Sequence, residues 1–111
     1  MTTARMRRVD EAIREVLSDA VVSDLKDPRI GFVTVTAVNT SPDLRRARVF
    51  VTVLGSDEER AASLAGLQSS HGILQRLVNA QLHMKRTPQL DFVYDDTTDR
   101  VMRMEELLGD D

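Results

Sequence analysis

The sequence predicts an α+β domain with one three-stranded sheet and helices on a single face. The expected order is helix, strand, strand, helix, kink, helix, strand, helix. Three observations carry this reading. Apolar residues between positions 4 and 25 recur at helical spacing and stop short of Pro28. Two runs rich in β-branched residues, 32–38 and 46–54, flank the turn-forming Ser41-Pro42-Asp43. A long helical stretch then precedes a third run, Leu90 to Tyr94, which is enough chain for a right-handed parallel crossover.

The first helix presents Val9, Ile13, Val16, Leu17, Ala20, Val21 and Leu25 on one face, with Arg8, Glu11, Arg14, Glu15 and Asp19 opposite. Pro28 lacks an amide donor and disfavours helical geometry at Asp27, so the helix is expected to end near Leu25 or Lys26. Strand alternation in 46–54 places Ala47, Val49, Val51 and Val53 inward and Arg46, Arg48 and Thr52 outward. Ser56, followed by Asp57, Glu58 and Glu59, starts the next helix. Its hydroxyl can cap, and the acids meet the positive end of the helix dipole.

That helix carries Ala61, Leu64, Ala65 and Leu67 and is interrupted at Ser69-Ser70-His71-Gly72. A fresh helical pattern follows in Ile73, Leu74, Leu77, Val78 and Leu82, closed by Pro88. Thr97, Thr98 and Asp99 are expected to open a last helix with Val101, Met104, Leu107 and Leu108 on its inner side. The 111 residues are read as one domain, with no repeat or linker.

Composition narrows the function. With 41% hydrophobic and 30% charged residues the chain reads as soluble. No apolar run approaches the roughly 18 residues that span a bilayer, and the arginines near the N-terminus precede no apolar segment of a secretory signal. Absence of cysteine excludes disulfides and thiolate metal sites, and two histidines exclude a multi-histidine site. The net charge of −3 is unevenly spread. Arg5, Arg7 and Arg8, then Arg45, Arg46 and Arg48, then Arg76, Lys85 and Arg86 lie in stretches free of acids, whereas Asp57-Glu58-Glu59 and 91–111 are acidic. Such basic patches can bind phosphate locally.

No catalytic constellation stands out. Asp95-Asp96 with Thr97-Thr98 reads as a strand end and helix start, and His71 has no identifiable catalytic partner. No phosphate loop of Walker or Rossmann type is present. Arg76, Asn79, His83 and Arg86 recur at intervals of three or four, as an outer stripe on the helix after the kink. Phe32, Phe50, Phe92 and Tyr94 lie in strands, where core packing explains most of them, so recognition of RNA by shape and backbone is favoured over base stacking.

The order of elements resembles the type II KH fold, a module for single-stranded nucleic acid. A KH domain places Gly-x-x-Gly between the two helices. Here the position holds Ser70-His71-Gly72. A closer resemblance is to the ribosome-binding factor A family. It rests on Asp27-Pro28-Arg29-Ile30-Gly31-Phe32-Val33-Thr34-Val35-Thr36, Ser41-Pro42-Asp43-Leu44, and Ala47 to Gly55. Further pieces are Arg86-Thr87-Pro88-Gln89-Leu90, Phe92-Val93-Tyr94-Asp95, and Met102 to Leu108. That family has an Ala-x-Gly kink, and this chain departs from it with Ser70 in place of the alanine.

The resemblance implies a single KH-like RNA-binding domain over 1–111 with a short C-terminal helix. It also implies a cytoplasmic, non-catalytic factor of ribosome assembly and cold adaptation. Such a factor binds the immature small (30S) subunit and its 16S rRNA near the decoding region and aids processing of the rRNA ends. A monomer is expected, without cofactor, metal, membrane or small-molecule substrate. Candidate rRNA contacts are Arg5, Arg7, Arg8, Arg45, Arg46, Arg76, His83, Lys85 and Arg86, with Ser70, His71 and Gly72 as the interhelical kink. Two other readings compete: a protein-interaction or dimerisation domain using the last helix, and an enzyme with a site at His71.

Overall fold

The structure is a computed structural model that describes residues 3–97, 104–105 and 107–108. Helix α1 (Ala4–Ser23) leads into strands β1 (Phe32–Thr40) and β2 (Arg46–Leu54), helices α2 (Asp57–Ser69) and α3 (His71–Gln81), and strand β3 (Gln89–Tyr94). The sheet runs in the order β1-β2-β3, with β1 antiparallel and β3 parallel to β2. The expected α+β architecture and parallel crossover are therefore present.

Alternation decides which side of the sheet is covered. Ala47, Val49, Val51 and Val53 from β2 are buried with Ile13, Leu17 and Ala20 of α1, Leu67 of α2, and Leu74 and Val78 of α3. Helices α1–α3 leave the opposite face uncovered. On it Phe32 and its register partner Leu54 are 78% and 77% exposed. Core packing therefore does not account for Phe32, because it sits on the face that helices α1–α3 leave uncovered.

Ends of elements differ from the sequence expectation. Helix α1 stops at Ser23, where the amides of Asp24 and Leu25 share the Ala20 carbonyl and the helix winds down before Pro28 acts. Strand β1 runs two residues past 38. Asn39 and Thr40 pair with Arg48 and Ala47, and the Asp10 carboxylate accepts the Thr40 amide at 2.8 Å and the Thr40 hydroxyl. Ser56 caps α2 as expected: its hydroxyl accepts from Glu59 N, and the Glu59 carboxylate accepts from Ser56 N.

Leu67 of α2 is buried and Leu64 packs against the core, as the apolar spacing suggests, but the rest of its inner face differs. Ala61 and Ala65 are exposed, while Ser63 and Gly66 are buried. The loop 27–31 lies on them. Ser63 Oγ accepts from Gly31 N at 3.0 Å and donates to the Arg29 carbonyl at 3.3 Å. Beyond β3, residues 104, 105, 107 and 108 are helical, but Met104, Leu107 and Leu108 are 59%, 77% and 75% exposed rather than inward. Thr98, Asp99 and Val101 lie outside the described residues.

Candidate nucleic-acid interface

The fold gathers basic side chains that are far apart in sequence. Arg45 precedes β2, and its carbonyl accepts from Gln89 N at 2.8 Å, so the starts of β2 and β3 lie side by side. The segment 82–88 leads directly into β3 and brings His83, Lys85 and Arg86 to the same end. The start of α1 lies there too. Met6 lines a groove with Asn39, Thr40, Ser41 and Arg46, and a second groove of about 590 Å³ joins Arg5 and Arg8 to Leu82, His83 and Met84. Arg7 faces a different depression with Asp10, Glu11 and Thr36. Every one of the candidate basic residues is exposed.

Local structure sets where these charges point. Ser41 and Asp43 shape the hairpin: Leu44 N donates to the Ser41 carbonyl at 2.9 Å, and Asp43 accepts from Ser41 Oγ at 2.6 Å and Arg45 N at 3.1 Å. Those bonds hold the Asp43 carboxyl below its usual pKa, the serine hydroxyl contributing most. Leu44 takes a left-handed φ of 60°, which turns the chain so that Arg45 and Arg46 enter β2. Arg46 also reaches Asp91 at 3.3 Å. This pair is exposed and weak, so Arg46 remains available to an anion.

Sequence spacing placed Arg76, Asn79, His83 and Arg86 on one helix, and the structure separates them. Leu82 is extended (φ −88°, ψ 115°), so α3 ends at Gln81 and only Arg76 and Asn79 stay helical. No proline or glycine before Pro88 signals that stop. His83, Lys85 and Arg86 belong to the loop 82–88. Asn79 Oδ1 is engaged there, accepting from Thr87 Oγ1 and from Gln75 Nε2 at 3.1 Å.

At the elbow between α2 and α3 the break falls on Ser70, whose φ of −90° and ψ of 5° leave helical geometry for one residue. Ser70 is buried, and its hydroxyl makes no capping bond to α3. His71 and Gly72 are already helical. His71 Nε2 lies 2.8 Å from the Leu90 carbonyl. A carbonyl can only accept, so this nitrogen carries the hydrogen. Its ring meets Phe92 edge-on, 6.1 Å between centroids. His71 is thus a strut from the elbow to β3. The guanidinium of Arg76 folds back beside Gly72, within 3.6 Å of where a β-carbon would stand. At the far end of β3, Asp95 Oδ2 accepts from Thr36 Oγ1 at 2.8 Å, in keeping with a strand-end role.

A family model described as Ribosome-binding factor A matches residues 5–108. The chain belongs to the ribosome-binding factor A family. Ribosome-binding factor A of Geobacter sulfurreducens is 42% identical over 104 residues, covering 94% of this chain and 88% of the relative. The crystal structure of ribosome-binding factor A from Thermus thermophilus matches with a TM-score of 0.71 at 25% identity, over 80% of this chain and 93% of that one. A Thermus thermophilus ribosome-binding factor A homology model, fitted into a cryo-electron-microscopy map of a 30S complex, shares the fold at a TM-score of 0.65 and 23% identity. It covers 87% of this chain and is itself covered over 98%. The α+β arrangement described above is the KH-like fold of ribosome-binding factor A structures.

Within this chain, sequence reasoning passed over Gln75, Ser63 and Gly66. Gln75 is a half-buried polar residue one turn before Asn79, and its side chain bonds Pro88 and Leu90. The visible signal was a glutamine at a core-flanking helical position, between Leu74 and Val78.

Proposed function

We propose that this chain is a non-catalytic assembly factor that binds the small (30S) ribosomal subunit through 16S rRNA and aids its late maturation and rRNA end processing. The observation that carries the reading is the family match across residues 5–108. The fitted relative in a 30S complex, and the basic end formed by the starts of α1, β2 and β3, support it.

Arg5, Arg8, Arg45, Arg46, His83, Lys85 and Arg86 would contact phosphates from that end, and Arg7 and Arg76 from its flanks. The elbow at Ser70, His71 and Gly72 would set how α3 meets the RNA. Free energy for remodelling would come from binding one RNA conformation better than another. Residues 1–111 act in this reading as one KH-like RNA-binding domain in a cytoplasmic monomer, and among the described residues no helix is long and apolar enough to cross a membrane. The Nε2–H of His71 is held by the Leu90 carbonyl, which in this reading makes the ring a strut between the elbow and β3.

Exposure of Met104, Leu107 and Leu108 favours one rival, an apolar protein-interaction surface. Salt separates the two, because phosphate contacts weaken steeply as ionic strength rises and apolar contacts do not. Sedimentation of extracts is expected to place the protein with free small subunits, and crosslinks are expected to map to 16S rRNA. Equal occupancy of translating ribosomes would overturn the reading.

A further inference from the structure

The segment carrying Lys85 and Arg86 has little backbone support. Among the described residues, no backbone–backbone hydrogen bond involves residues 85–88. Long cationic side chains on an unheld loop lose entropy on contacting a phosphate, so an ordered loop binds more tightly. Besides the burial of Leu82 and Pro88, polar support here comes from α3. The Gln75 side chain donates from Nε2 to the Pro88 carbonyl at 3.0 Å and accepts at Oε1 from Leu90 N at 2.9 Å. The two backbone groups, two residues apart, are those a strand offers along one edge, and β3 is an edge strand. Gln75 therefore stands in for a missing strand at the start of β3. Nε2 also donates to Asn79 Oδ1, which accepts from Thr87 Oγ1 and extends the support into the loop.

We infer that Gln75 is a positioning residue for RNA binding: through Pro88, Leu90, Asn79 and Thr87 it holds the 82–88 loop so that Lys85 and Arg86 meet phosphate. This rests on the small-subunit reading above. Gln75 itself touches no RNA in this proposal. It acts through the two cations.

The experiment measures binding of the full chain to purified free small subunits over a series of salt concentrations. Gln75→Leu is expected to weaken binding about tenfold and to flatten the salt slope by about one unit per lost contact, up to the loss seen for Lys85→Ala/Arg86→Ala. Added to that double variant, Gln75→Leu is expected to change nothing further, since the groups it positions are gone. An equal loss with the cations present or absent, or an unaltered affinity and slope, would overturn the inference. Should Gln75→Leu fail to fold, Thr87→Val cuts the same network from the loop side. It is expected to give a smaller loss that also vanishes in the double variant, and a loss that persists there overturns the inference. Wild-type protein that binds no small subunits overturns the parent reading and this one together, whereas the other failures leave wild-type binding intact.

Discussion

A β-carbon on Gly66 would stand 2.6 Å from Cγ1 of Ile30, so loop 27–31 lies against α2 at a distance only glycine permits. Ser63 completes the seat by bonding Gly31 N and the Arg29 carbonyl. Gly66→Ala is expected to destabilise the fold by about 1–3 kcal/mol through overpacking, despite a helix-propensity gain of roughly 1 kcal/mol. Urea unfolding checks this. Ile30→Ala in the same protein is expected to recover part of the loss, because it removes the atom that is struck.

Gly72 is the contrasting case. A β-carbon there meets nothing nearer than the Arg76 guanidinium at 3.6 Å, an ordinary contact, and the bend belongs to Ser70. Gly72→Ala is expected to stabilise α3 by about 0.5–1 kcal/mol. Thermal unfolding should show a midpoint several degrees higher.

Asp10 ties α1 to the last residue of β1 by accepting both the amide and hydroxyl of Thr40, a residue 2% exposed. Asp10→Ala leaves both donors without that acceptor. The expected loss is about 1–3 kcal/mol, read by urea unfolding, with a smaller loss for Asp10→Asn, whose Oδ1 can still accept from Thr40 but without the charge.

Asp27 titrates at about 2, held down first by the Arg29 side chain and then by the Arg29 amide. A carboxyl lowered in the folded state contributes stability above its unfolded pKa, near 4, and loses it as pH falls through the folded value. The stability difference between wild type and Asp27→Asn is therefore expected to be full at pH 5 and to shrink between about pH 4 and pH 2. Thermal midpoints across that range test it. A difference constant from pH 5 to pH 2 would show that Arg29 does not lower this group.

The basic end makes a prediction that charge count alone does not. Neutralising Arg45, Arg46, Lys85 or Arg86 is expected to flatten the salt dependence of subunit binding by about one unit each. Stability should stay within about 0.5 kcal/mol, since these side chains are exposed. Parallel binding and unfolding measurements on each variant check both halves. Unchanged binding with all four neutralised would move the contacts to Arg5, Arg7 and Arg8.

Much of the fold was legible locally. Alternation in 46–54 named the buried and exposed sides of β2 correctly, because a strand's faces are set by parity within a few residues. Ser56 and Glu59 announced their capping box for the same reason. What misled was local regularity continued past its tertiary limit. Arg76, Asn79, His83 and Arg86 keep helical spacing, yet the chain leaves the helix at Leu82, where Gln75 and Asn79 bond the returning loop. Phe32 carries a strand's apolar signature on the face the helices leave bare, and periodicity cannot say which face that is.

The sequence by itself determined the elements, their order, and three basic stretches spread over about eighty residues of chain. Only the tertiary structure decided that the stretches starting α1 and β2 and preceding β3 meet at one end, with the acidic Asp57-Glu58-Glu59 at the other. Periodicity and capping are written in neighbouring residues. Convergence depends instead on strand register and on the crossover that lays β3 parallel to β2, and these follow from packing between segments distant in sequence.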